Sequence, residues 1–159
     1  MRILAIDTAL AACSICVMEE GAAAPLLRES LVMERGHAEA LVPLLQKTLH
    51  ALDGGLKSIN KIAVCVGPGS FTGLRVGLSA ARALGLAAGV PVVGVTSLSA
   101  YAAPHIIAGT TLSIATLIDA RHGNAYCQCV TGGGRMLIAP VRMAVSEIIE
   151  ILNRSGGVK

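Results

Sequence analysis

The chain has 159 residues, 53% of them hydrophobic and 14% charged, enough for one compact domain or for one domain and part of another. One Phe, two Tyr and no Trp leave no stacking platform for single-stranded RNA, and a formal charge of +3 is too small to imply nucleic-acid binding. Five cysteines, an odd number without framework spacing, point to a reducing compartment, and the surplus of apolar surface points to a partner.

Arg2–Asp7 reads as a strand buried on both faces by its continuous apolar run, with no long apolar stretch ahead of Asp7 to suggest a signal peptide. Cys13–Met18 reads as a second strand closed by Glu19-Glu20-Gly21, and Leu26–Met33 as a third, so a β-meander opens the chain. From His37 the period changes. Leu41, Leu44, Leu45, Leu49 and Leu52 follow helical spacing, with Glu39, Gln46 and Lys47 on the surface. Pro43 is expected to kink this helix or mark its restart, because it lacks an N–H and crowds the preceding turn. Gly54-Gly55 ends it.

The stretch from Ile62 to Gly94 carries the most information. Ile62–Val66 is a short β-branched run fit for a buried parallel strand. Gly67-Pro68-Gly69 ends it, and Thr72 or Ser70 can cap the helix that follows, Thr72–Ala88. Along that helix Gly73, Gly77, Ala81 and Gly85 recur every fourth residue and so share one face. Glycine costs a helix about 1 kcal/mol relative to alanine, so three on one stripe imply a close neighbour. The expected neighbour is a second helix. Val92–Val95 then reads as a strand, which completes a βββαβαβ order.

After Ser97 comes a weak helical segment, then a strand over Ser113–Ile118 that ends at Asp119. Asn124–Val130 and Met136–Ala139, joined by Thr131-Gly132-Gly133-Gly134, read as a hairpin, and Val145–Asn153 as a short amphipathic helix. No Asp, Glu, Lys or Arg occurs from Ala83 to Ile118, but Gly89, Pro91, Gly94, Pro104 and Gly109 cut the run into pieces too short to span a bilayer.

Four segments in order give the chain a family likeness. They are RILAIDT (Arg2–Thr8), RGHAEALVP (Arg35–Pro43), GPGSFTGLRVGLSAARALG (from Gly67) and DARHGNAY (Asp119–Tyr126). Together they resemble the TsaB (YeaZ) family, inactive relatives of TsaD and of M22-type glycopeptidases. The resemblance implies an α/β, ribonuclease-H-like fold of the actin-like ATPase superfamily. It places an actin-like lobe at residues 1–98 and a truncated second lobe at 99–159. Family members usually continue for several tens of residues, so a partial second lobe is expected to expose apolar faces.

What the resemblance implies for the sites is mixed. In the superfamily an Asp at the end of the first strand binds metal and a hydroxyl neighbour reaches phosphate, which marks Asp7 and Thr8. Ala9, Leu10 and Ala11 stand where active relatives place glycine, so the site reads as vestigial or as an ordered strand end. Gly67 and Gly69 could help cradle an anion at the helix N-terminus beside Arg75, or simply make a tight turn. No Lys precedes a Ser or Thr as a P-loop requires. No cofactor is expected beyond weak ATP or ADP binding. The catalytic TsaD relatives carry two histidines four residues apart. Here His37 is followed by Leu41, so no metal site is expected and His37 reads as a surface or interface residue. Cys13-x-x-Cys16 and Cys127-x-Cys129 read as small buried hydrophobes, Phe71 as a packing anchor, and Asp119-Ala120-Arg121 as a strand-end ion pair.

The resemblance implies a non-catalytic scaffold that binds TsaD, and through it the ATPase TsaE. TsaD transfers a threonylcarbamoyl group to N6 of adenosine 37 in tRNA. The chain would meet tRNA only through that complex, in the cytoplasm, without membrane contact. The expected partner surface comprises His37, Leu41, Leu45, Gly73, Leu74, Val76, Gly77, Ala80, Ala81 and Leu84, a surface also open to homodimerisation. The alternatives are an actin-like superfamily enzyme, ATPase or metallopeptidase, and a zinc or thiol-redox module.

Overall fold

A computed structural model describes residues 1–154. It divides into two compact units, Met1–Val95 and Thr96–Lys159.

The first unit opens with a meander of β1 (Arg2–Asp7), β2 (Ala12–Glu19) and β3 (Leu27–Val32). Helix α1 (His37–Ala51) leads through a 3-10 turn at Gly55–Ser58 to β4 (Lys61–Cys65), and α2 (Phe71–Ala88) leads on to β5 (Val92–Val95). The sheet order is β3-β2-β1-β4-β5, antiparallel within the meander and parallel from β1 through β4 to β5. That is the ribonuclease-H-like arrangement of actin-like proteins.

Strand alternation decides which side chains meet the helices. Leu4 and Ile6 of β1, Ile15 and Val17 of β2, and Ile62 and Val64 of β4 lie in one core with Leu41, Leu44 and Leu45 of α1 and Ala81 of α2. Burying each large aliphatic side chain contributes about 1.5–3 kcal/mol. Ile3 and Ala5 are only half-buried, so β1 is not covered on both faces as its apolar run suggests. The reason is that α1 and α2 share one core and therefore one side of the sheet.

Pro43 neither breaks nor restarts α1, which runs through it. Pro43 is exposed, and the carbonyl it would have bonded belongs to Glu39, another exposed residue that water can satisfy. Helix α2 starts at the Ser70 cap, whose hydroxyl accepts from the Gly73 N–H, and ends at Gly89 in the left-handed region, φ +66°.

In the second unit, α3 (Ser97–Ile107) is capped by Thr96, whose hydroxyl accepts from the Ser99 N–H at 3.1 Å. Strands β6 (Ile114–Asp119), β7 (Asn124–Val130) and β8 (Met136–Ala144) form an antiparallel sheet in sequence order, followed by α4 (Val145–Arg154). Strand β8 runs five residues past the expected Ala139, through Pro140. It is an edge strand, and its register against β7 shifts between Cys127 and Cys129, so Pro140 falls where the ladder needs no N–H. Ala125, Cys127 and Ile148 form a small core with Met143 and Leu152.

Candidate functional site

The end of β1 and the start of α2 close on each other. Asp7 Oδ1 accepts from the Ala9 N–H at 2.9 Å, which turns the chain out of the strand. Thr8, only 2% exposed, donates its hydroxyl to the Gly73 carbonyl at 2.7 Å. The Ser70 N–H donates to the Ala9 carbonyl at 2.7 Å. A Cβ built on Gly69 would collide with the Ala9 carbonyl, one on Gly73 with the Thr8 carbonyl, and one on Gly77 with the Thr8 hydroxyl. On Gly85 it would meet the Val92 side chain.

The glycine stripe therefore faces the chain's own sheet and its β1–β2 loop, not a partner helix. This corrects the partner reading of Gly73, Gly77 and Ala81, all of which are buried. At the start of α2 the Ser70 and Gly73 N–H groups already have acceptors within the chain, the Ala9 carbonyl and the Ser70 hydroxyl. Gly67, at φ +95°, is buried and makes the turn, with Leu74 Cδ1 3.0 Å from where its Cβ would be.

Helix α1 grips the same loop from the other side. His37 is 7% exposed and its Nε2 lies 3.0 Å from the Leu10 carbonyl, to which it donates. It is a buried strut, not a surface residue. Its place was readable, since His37 stands four residues before Leu41 in the stripe that also holds Leu44, Leu45 and Thr48. Leu41, 1% exposed, and Leu45 belong to the core. Val76, Ala80 and Leu84 are partly buried against that core, and Leu74 is half-buried. None of the ten residues expected to meet a partner is exposed.

The outward side of α2 carries what the sequence reading missed. Phe71 is 73% exposed, Leu78 38% and Leu86 87%. Arg75 stacks over the Phe71 ring, 5.0 Å from its centroid, and Arg82 is exposed further along. Phe71 is thus no core anchor. The spacing 71, 75, 78, 82, 86 is helical and was the signal available.

The cysteines behave as small hydrophobes. Burial raises the thiol pKa of Cys13, Cys16, Cys127 and Cys129, aided by the Asp7 charge at Cys13 and opposed by Arg28 at Cys16. Among the described residues no three metal-binding side chains come together. Asp119 does not pair with the Arg121 guanidinium. Its Oδ1 accepts from the Arg121 N–H at 2.8 Å, closing a turn in which Arg121, His122 and Gly123 all take positive φ. No described helix is long and apolar enough to cross a membrane.

Known proteins agree with this architecture. The family described as "TsaD: tRNA N6-adenosine threonylcarbamoyltransferase" matches residues 31–158. The chain is 36% identical over 126 residues to the tRNA threonylcarbamoyladenosine biosynthesis protein TsaB of Escherichia coli, covering 79% of this chain and 53% of that one. It is 31% identical to the Bacillus subtilis TsaB over 129 residues, 79% of this chain and 53% of that one. The structure of YeaZ from Pseudomonas aeruginosa superposes with a TM-score of 0.75 at 30% identity, covering 90% of this chain and 66% of that one. The chain belongs to the TsaB (YeaZ) family. It spans about half the length of the curated TsaB relatives it matches.

Proposed function

We propose that this chain is a non-catalytic scaffold in threonylcarbamoylation of adenosine 37 of tRNA, acting by binding TsaD and, through it, TsaE. The observation that carries this reading is the closure of the β1–β2 loop onto α2. Thr8 gives its hydroxyl to Gly73, and Gly69, Gly73 and Gly77 leave room only for the chain's own atoms. A loop committed in this way stiffens the platform under α1 and α2. The TsaB names of the relatives support the pathway, and Leu41 in the position of a second histidine supports the lack of catalysis. The TsaD-facing surface moves from the buried stripe to the outward side of α2.

The test is to mix the chain with TsaD from the same organism and run light scattering on a sizing column. A stable complex of one copy each supports the scaffold, and a chain that ignores TsaD overturns it. A magnesium-dependent ATPase assay on the chain alone addresses the enzyme alternative. Turnover abolished by Asp7→Asn would overturn the non-catalytic reading.

A further inference from the structure

We propose that the β6–β7 turn and the adjoining end of β8 form a contact for the phosphate backbone of RNA, made by Arg121, His122 and Arg142. That the RNA is a tRNA rests on the proposed function, but the charge argument does not.

Arg121 and His122 are the only non-glycine residues with positive φ among those described, at 62° and 53°. Side chains rarely adopt that backbone unless their surroundings hold it there. Here they do. Asp119 Oδ1 accepts from the Arg121 N–H at 2.8 Å, and Asn124 Nδ2 donates to the His122 carbonyl at 3.0 Å. The Asn124 N–H donates to the Arg121 carbonyl at 3.1 Å, and the Val145 N–H of α4 to the Gly123 carbonyl at 3.0 Å. The turn is fixed from both strands and from α4, yet Arg121 and His122 are themselves exposed.

Strand alternation decides what stands beside them. Arg142 of β8 is opposite Tyr126 of β7, and Tyr126 is opposite Ile118 of β6, so the three share one face with Asn124. Arg142 is exposed. Helix α3 lies on this face, where the Ser99 hydroxyl reaches Gln128, and neither α3 nor the strand residues of the face include an Asp or Glu. The carboxylates at this end go with the opposite face. Asp119 pairs there with Ala125, and α4, which carries Glu147, packs Ile148 against Ala125 and Cys127. Among the described residues neither Arg121 nor Arg142 has an ion-pair partner. The net charge of +3 conceals this local excess. A protein partner would want an exposed apolar centre, but Ile118 and Tyr126 are partly buried. Fixed guanidinium forks without such a centre suit phosphate oxygens, and the scarcity of aromatic side chains restricts the contact to the backbone.

The test titrates an unmodified tRNA transcript, followed by fluorescence anisotropy over a range of NaCl concentrations, with and without TsaD. The slope of log K against log[NaCl] counts the phosphates neutralised. R142Q should flatten it by about 0.7–0.9 and R121N/R142Q by about twice that, with Asn chosen because it tolerates the left-handed backbone. R142K should keep the slope. R135Q, which removes the same charge from the far end of the sheet, should also keep it. Circular dichroism confirms that each variant folds. Equal flattening by R142Q and R135Q would mean diffuse attraction to net charge, and a chain that never binds the transcript would leave the turn without this ligand. Either result overturns the inference. So does loss of TsaD binding by R121N/R142Q with the tRNA slope intact, which would make the patch a protein interface. The scaffold reading is judged separately. A chain that binds tRNA through these arginines but ignores TsaD sustains the inference and overturns the scaffold, whereas one that binds TsaD but no tRNA does the reverse.

Discussion

Thr8 and Gly77 show how one residue's smallness serves another's hydrogen bond. Thr8 reaches Gly73 across 65 positions of sequence, and Gly77 supplies the space for the hydroxyl. Gly77→Ala should cost about 2 kcal/mol by overpacking, and Thr8→Ala about 1 kcal/mol for the lost bond and methyl. The double variant should lose clearly less than the sum, because removing the hydroxyl frees the room the new Cβ needs. Urea titrations of all four proteins check this, and simple additivity would refute the pairing. The thiols give a second residue-scale prediction. Burial raises the folded-state pKa of Cys13, Cys16, Cys127 and Cys129, so between the ordinary thiol value and the raised one the folded chain holds more protons than the unfolded. Stability from this source is complete below about pH 8.5 and falls as pH rises past it. Denaturant midpoints at pH 7 and pH 10 should show the drop, and a variant with all four residues changed to Ala or Val should show less of it.

At the scale of elements, α2 is held at both ends by local chemistry. Ser70→Ala removes the cap on Gly73 and should cost about 1 kcal/mol, as should Gly89→Ala, which forces a Cβ into φ +66°. For a chain of this size each should lower Tm by about 2–4 °C, measured calorimetrically. Element type and order were legible because hydrophobic period switches cleanly from 2 to 3.6 at His37 and again around α2. What periodicity does not name is the neighbour. The glycine stripe said that something approaches closely, and a helix and a strand end leave the same mark in sequence. The answer lay in contacts with Thr8 and Ala9 of the β1–β2 loop and with Val92 of β5, two segments distant in sequence. Strand β8 was cut short for a related reason. The expected strand stopped at Ala139, just before Pro140, and the bulge opposite Gln128 and the edge position are what make a proline tolerable there. His37 was assigned by its chemistry when its spacing to Leu41 already placed it inside.

For the whole molecule, the two units have very unequal cores. The first joins large aliphatic side chains of β1, β2, α1 and β4 around Leu4, Ile15, Leu41 and Ile62, whereas the second gathers a cluster of Ala125, Cys127 and Ile148 with Met143 and Leu152 at its rim, and buries Leu98, Ala102, Cys129 and Val130 outside that cluster. Its edge strand exposes Met136 and Leu137, and the turn ahead of it ends at the exposed Arg135. Local opening free energy follows buried apolar contact, so the second unit should open first. Trypsin under native conditions should cut first at Arg121, Arg135 and Arg142, while Lys61 in β4 stays protected. Hydrogen exchange should likewise be slowest in β1, β2 and β4 and faster throughout β6–β8. Equal protection in both units would mean that they unfold as one and that the small core borrows stability from the large one. Early cleavage confined to the second unit would show that the clasp of Thr8, His37 and α2 sits in the part of the chain that stands on its own packing.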